Sequence, residues 1–187
     1  MPVLSHSISR LSLLATIGTT ALVGACSDPA PREPPSFRLD ISGPINKRLQ
    51  GDVAVFGVDT NETRGTINWI LTLSVEGENG VEGVDLLMPG LGPREGSFRI
   101  GHIDGPTSLR GGEVGAVLAL DATDGITRFE GTSDSGLLTV LVDSVDAMVG
   151  SFNLTASGVL FSATSASMVR IQVSGDFRAV PGEIVAP

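Results

Sequence analysis

The sequence TINWILTLSV, residues 66–75, decides the fold class, because its apolar side chains recur at every second position. Successive side chains of a β-strand point to opposite faces, so a strand with one buried face alternates apolar and polar residues. One face of this stretch carries Ile67, Trp69, Leu71, Leu73 and Val75. The stretch therefore predicts a half-buried β-strand.

The same period of two returns in residues 167–180. The inward positions there are Val169, Ile171, Val173, Phe177 and Ala179, and Gly175 occupies the inward position between them. A glycine at such a position predicts either a bulge or the close approach of a neighbouring strand.

Eight shorter stretches with this alternation bring the predicted number of strands to ten: residues 37–41, 53–58, 84–88, 98–103, 114–120, 137–142, 152–156 and 159–163. Gly, Asp and Pro, the residues of tight turns, connect most of them. Residues 144–150 could form a short helical turn, although their apolar residues also alternate. Helical patterning is otherwise nearly absent.

Short strands joined by such turns are typical of all-β folds. We predict one all-β domain over residues 37–187, an antiparallel β-sandwich of roughly ten strands. About 150 residues are enough for one domain with its own core. A flattened β-barrel is the alternative, because alternation does not show whether the first and last strands pair.

Three stretches share a Gly-x-Phe pattern: Gly96-Ser97-Phe98, Gly150-Ser151-Phe152 and Gly175-Asp176-Phe177. Their spacing is not that of a solenoid repeat. We interpret each Phe as a core anchor beside a glycine that relieves crowding, rather than as part of a ligand motif.

The beginning of the chain has a different composition. Five of residues 1–10 are polar, among them the positively charged Arg10, whereas residues 11–25 carry no charge. At 1.5 Å per residue the uncharged stretch spans roughly 22 Å, which is less than the ~30 Å hydrocarbon core of a bilayer. We therefore expect a cleaved signal peptide over residues 1–25 rather than a membrane-spanning helix.

Cys26, the single cysteine of the chain, follows directly. The residues Val23-Gly24-Ala25-Cys26 resemble the lipobox of bacterial lipoproteins, in which a branched apolar residue and two small residues precede a lipid-modified cysteine. The resemblance implies cleavage between Ala25 and Cys26, a diacylglyceryl group on the Cys26 thiol, and acylation of the new amino terminus. Several acyl chains give stable anchoring to a membrane. The alternative is a free buried thiol, since a disulfide within the chain needs a second cysteine.

Residues 26–36 contain the lipidated cysteine and four prolines, and we expect them to form an extended, polyproline-like tether. In lipoproteins of the proteobacterial type, a serine after the cysteine, here Ser27, favours export to the outer membrane rather than retention at the inner one. The strand of residues 169–180 also resembles the ends of small secreted bacterial β-sandwich lipoproteins of unassigned function. The two resemblances imply a lipid-anchored cell-envelope protein.

The formal net charge of −9 and the single lysine, Lys47, argue against a nucleic-acid partner. Binding to phosphates needs a surplus of Lys and Arg. The partners that we expect are the membrane, reached through the lipid on Cys26, and an envelope protein or glycan.

Few side chains indicate chemistry. His102 is the one histidine of the predicted mature chain, and residues 131–136, interpreted as a serine-rich turn, lack the Gly-x-Ser-x-Gly spacing of a nucleophile elbow.

Asp121 and Asp124 are weak calcium candidates, because their spacing misses the EF-hand series and fits an Asp-rich turn. Trp69 lies on an apolar face, which favours packing over a sugar platform. We interpret Glu82, with Glu76 and Glu78, as solvated loop charge.

We therefore expect a lipid-anchored envelope lipoprotein with a structural or binding role, with no cofactor and no assigned catalytic residue. A carbohydrate- or calcium-binding envelope module is the first alternative. An envelope hydrolase that uses an acidic pair such as Asp121 and Asp124 is the second.

Overall fold

The computed structural model describes residues 33–61, 66–103, 109 and 112–182, which belong to one compact unit, Glu33–Pro187. The predicted signal peptide, the cleavage and lipidation site at Ala25 and Cys26, and most of the tether lie outside the described residues. In the part that is described there is no helix with the length and apolar character that a membrane span needs.

The described chain consists of strands, turns and loops, and the predicted all-β class is confirmed. The strands are β1 Ser36–Ser42, β2 Lys47–Gly51, β3 Val53–Asn61, β4 Thr66–Gly77, β5 Gly80–Pro89, β6 Gly96–Ile100, β7 Gly115–Asp121, β8 Arg128–Asp143, β9 Met148–Phe161 and β10 Ala166–Pro181.

One sheet contains all ten strands, in the order β2-β1-β10-β3-β4-β5-β7-β8-β6, with β9 paired to both β8 and β10. The pairing therefore returns to its start, since β10, β3, β4, β5, β7, β8 and β9 form a closed circuit. The ladders between these strands are antiparallel, except for a short parallel one in which Val180 and Pro181 of β10 pair with Val55 and Phe56 of β3.

The core follows from the alternation that the sequence displays. Strand β1 buries every second residue, and Leu39 at its centre is fully buried. In β4, Trp69 is 2% exposed and Leu71 and Leu73 are completely buried. A single cluster of apolar side chains collects these residues with the inward positions of the other strands.

Several predicted strand boundaries are wrong. Strand β2 was not predicted, because KRLQG offers only one buried apolar residue, Leu49. Strand β9 is continuous where two strands were predicted. Residues 131–136 form part of β8 rather than a turn. Their small residues allow close approach of the next strand: a Cβ atom on Gly131 would lie 2.5 Å from the carbonyl oxygen of Ser157.

Candidate functional site

A cleft of about 500 Å³ opens where the β4–β5 hairpin meets the loop between β7 and β8. Its lining is rich in charged side chains: Lys47, Glu76, Glu78, Glu82 and Asp121. Because it holds the single lysine and one of the two calcium candidates, this cleft is the first place to test for a functional site.

The only lysine of the chain is fully engaged at the base of this cleft. Lys47 Nζ donates to both carboxylate oxygens of Glu82, at 3.0 and 2.8 Å, and to the backbone oxygen of Asp121 at 2.9 Å. An ammonium group has three protons, so these bonds use all of its donors. The Lys47 and Glu82 side chains are 13% and 7% exposed, which makes them an internal ion pair.

Glu82 was predicted to be solvated loop charge, and that prediction is wrong. It lies in β5 and is 5% exposed, whereas Glu76 and Glu78 are exposed as expected. The physical reason is its position two residues before Val84, on the same inward face of the strand. The sequence contained this signal, because the alternation of β5 continues back through position 82.

Asp121 is also buried, at 3% exposure, and its carboxylate, its N–H and its backbone oxygen all form hydrogen bonds. Its carboxylate accepts hydrogen bonds from Arg128 Nη1 at 2.9 Å and from the backbone N–H of Asn79 at 3.1 Å. Its own N–H donates to Glu82 Oε2 at 2.9 Å. Asp121 thus joins the β4–β5 turn to the end of β7.

Arg128 completes the network on the other side of Asp121. Its Nε donates to Glu130 Oε1 at 3.1 Å, and its Nη2 donates to the backbone oxygen of Val81 at the same distance. Burial disfavours the charged guanidinium, but hydrogen bonds to Glu130 and Asp121 outweigh it and raise the pKa of Arg128. The group is therefore a permanent cation that holds two strands together.

Asp124 lies apart from this network in the exposed turn after β7. Its carboxylate accepts hydrogen bonds from the Thr127 hydroxyl at 2.6 Å, the Thr127 N–H at 2.8 Å and the Ile126 N–H at 3.0 Å. The hydroxyl of Thr127 and then these N–H groups hold the pKa of Asp124 below its ordinary value. Its environment is that of an Asp-rich turn.

The two calcium candidates therefore have different partners: the Asp121 carboxylate forms a buried ion pair, and the Asp124 carboxylate accepts hydrogen bonds within its own turn. Across the described ranges, no three or more His, Cys, Asp and Glu side chains are grouped so that they could hold a metal ion.

Trp69 is enclosed by the fold. It lies opposite Val58 of β3 and Met88 of β5, and a Cβ atom on Gly92 would stand only 2.4 Å from its Cδ1. Its Nε1 is buried without a hydrogen-bond partner among the described residues. The indole is a packing group and offers no face to a sugar ring.

His102 lies elsewhere, beside a bulge in β8. The register of β8 against β9 shifts between Ser133 and Ser135, and the extra residue is Asp134. The carboxylate of Asp134 lies 3.6 Å from His102 Nδ1 and 3.2 Å from Arg170 Nε. Ser157 directs its hydroxyl to this carboxylate at 2.7 Å, so the serine is a partner of Asp134.

The structure thus brings Asp121 together with Lys47, Glu82 and Arg128, and it places Asp124, His102 and Trp69 each among other neighbours. Sequence reasoning missed the buried ion pair. A scan of protein-family models, a search of curated proteins and a search of solved structures found no match for this chain.

Proposed function

We propose that this chain is an exported bacterial lipoprotein, cleaved before Cys26, anchored by lipid on that thiol, and presenting its β-domain in the cell envelope in a structural or binding role. One observation carries the proposal: the lipobox-like Val23-Gly24-Ala25-Cys26 directly ends an uncharged stretch of fifteen residues, 11–25. A four-residue pattern in any other place would carry little weight.

The charge distribution and the prolines after Cys26 support the same reading. Four prolines between Cys26 and β1 favour an extended spacer that separates a lipid anchor from a folded domain. An acidic chain with a single lysine suits a role that does not involve nucleic acid.

The use of the titratable groups favours binding or support over catalysis. Lys47, Glu82, Asp121 and Arg128 neutralise one another, and Asp124 is committed to its own turn. A catalytic reading needs an acid and a base that converge on one reacting position. These contacts give each carboxylate a structural task instead.

Metabolic labelling with an alkyne fatty acid tests the anchor. The full chain is expressed in bacterial cells as wild type, Cys26→Ala and the matched control Ser27→Ala, and label on the purified protein is measured. We expect label on the wild type and the control and none on Cys26→Ala. Equal label on all three overturns the proposal. Label is a better readout than membrane fractionation, because an uncleaved apolar segment can retain the precursor at the membrane.

A further inference from the structure

The outer side of β1, β10, β9 and β8 carries a regular array of polar side chains. The strand register aligns them in three cross-strand rows: Ser42, Gln172, Thr155 and Ser135; Asp40, Ser174, Asn153 and Leu137; Arg38, Asp176, Ser151 and Thr139. Neighbouring strands lie about 4.8 Å apart, so each row is roughly 14 Å long. We call these twelve residues the polar face.

Two depressions cut into the polar face and adjoin each other. One has a volume of about 270 Å³ and the other of about 180 Å³. Asp40, Asn153 and Ser174, the second row apart from Leu137, line both. The depressions thus form one groove that crosses β1, β10 and β9, with small side chains such as Ser174 at its centre.

The groove has unused hydrogen-bonding capacity. Within the described ranges, no hydrogen bond joins the side chains of Asn153, Gln172, Thr155 or Ser174 to another residue. Each carboxamide supplies two donors and an acceptor, and each hydroxyl supplies one donor and two lone pairs. Such groups match a ligand whose own groups both donate and accept, as sugar hydroxyls do.

The charges of the polar face cancel locally. Arg38, at 3.7 Å, and Arg48 of β2, at 2.6 Å, both form ion pairs with Asp40, and Asp176 lies opposite Arg38 in the register. A face with matched Arg and Asp residues has no excess positive charge for a nucleic acid or an anionic lipid surface.

A protein partner fits this face poorly. The core of a protein interface is enriched in aromatic residues, Met and Arg. Leu137, at 42% exposure, is the one large apolar side chain in the three rows.

We propose that this groove binds an uncharged, hydroxyl-rich glycan chain that lies across the strands and is held mainly by Asn153 and Gln172. The proposal deepens the binding role given above and rests on that role, but not on the lipid anchor. Failure here therefore leaves the labelling result untouched. Trp69 takes no part, and recognition proceeds through hydrogen bonds without an aromatic platform.

Affinity electrophoresis of the full chain in a mild detergent tests the proposal. The gels contain dextran, glucomannan, xylan or hydroxyethyl cellulose, and alginate serves as the charged comparison. The variant is Asn153→Ala with Gln172→Ala. The control is Asn68→Ala with Ser74→Ala, which removes two side chains from the outward positions of β4.

We expect at least one neutral polysaccharide to retard the wild type and the control equally, and the groove variant to bind it about tenfold more weakly or worse. Thermal unfolding of both variants checks that the fold is intact. The proposal is overturned if no neutral polysaccharide retards the chain, if alginate alone does, or if the groove variant is retarded as strongly as the wild type.

Discussion

Gly150 of β9 lies opposite Phe177 of β10, and a Cβ atom on Gly150 would stand 2.7 Å from Phe177 Cζ. Two positions along, the relationship is reversed: Gly175 lies opposite Phe152, and its Cβ would stand 3.0 Å from Phe152 Cε1. Each ring therefore occupies the space above the glycine of the other strand. This explains two of the three Gly-x-Phe stretches and agrees with the interpretation of each Phe as a core anchor.

The third Gly-x-Phe stretch, residues 96–98, is built differently. Phe98 is only partly buried, and Gly96 has a φ of 139° with 3.9 Å between its Cβ position and the ring. Backbone conformation, rather than ring packing, requires the glycine at position 96.

Gly150→Ala should destabilise the domain by about 1–3 kcal/mol, the usual cost of overpacking a well-filled core. The added methyl would meet the Phe177 ring and, at 2.4 Å, the backbone oxygen of Thr139, which cannot rotate away. Urea unfolding measures the change. Ser151→Ala, at the neighbouring outward position, is the control and should change stability little. Equal stability of Gly150→Ala and the wild type would contradict the packing described here.

Lys47→Met should cost about 3–5 kcal/mol, because it leaves the Glu82 carboxylate buried without its cation. The double variant Lys47→Met with Glu82→Met should recover part of that loss, since apolar side chains often replace a buried ion pair at little cost, whereas the Asp121 N–H and backbone oxygen lose their partners. Chemical denaturation of the four proteins in this cycle measures the coupling.

Arg48→Met is the control for that cycle. Arg48 is 57% exposed and pairs with Asp40 at the surface, so its loss should cost about 0–1 kcal/mol. If Lys47→Met and Arg48→Met have the same small effect, the internal ion pair does not stabilise the fold.

Asp124 should make the domain more sensitive to acid. Hydrogen bonds from Thr127 hold the folded-state pKa of Asp124 below its ordinary value, so its contribution is present above the unfolded pKa and is lost as pH falls through the folded pKa. The stability advantage of the wild type over Asp124→Asn should therefore shrink on acidification. Thermal midpoints between about pH 7 and about pH 2.5 measure it, and a pH-independent difference refutes the claim.

Asp85 should act with the opposite sign. Burial raises its folded-state pKa, and a hydrogen bond with Thr72 offsets this only in part. Its contribution is thus greatest below the unfolded pKa and is lost as pH rises through the folded pKa. Asp85→Asn should gain stability relative to the wild type as pH rises. If the stability of Asp85→Asn relative to the wild type stays constant or falls as pH rises, the carboxylate is not disfavoured in the folded state.

Alternation in the sequence identifies strands that bury apolar side chains over several positions, such as β4 and β10. It fails for β2, where Leu49 alone is apolar and buried, and for the first half of β8, where Gly131 and Ser133 suggest a turn. These segments are strands because their backbones pair with neighbouring strands, β2 with β1 and β8 with β7 and β9. Such pairing is a tertiary contact, and the sequence of the segment itself carries no pattern that predicts it.

The candidate site was less predictable than the fold. Lys47 and Glu82 are 35 residues apart, and their meeting depends on how β2 and β5 are brought together. The inward position of Glu82 could have been read from Val84 and Leu86, but its partner could not. Similarly, the bulge at Asp134 that gathers His102 and Arg170 arises from the pairing of β8 with β9.

Intact-mass and amino-terminal peptide mass spectrometry of the protein purified from bacterial membranes tests the central claim most directly. We predict a mature chain that begins at Cys26 and carries diacylglyceryl and acyl groups on that residue. An intact Met1, or a Cys26 thiol without lipid, would contradict the account.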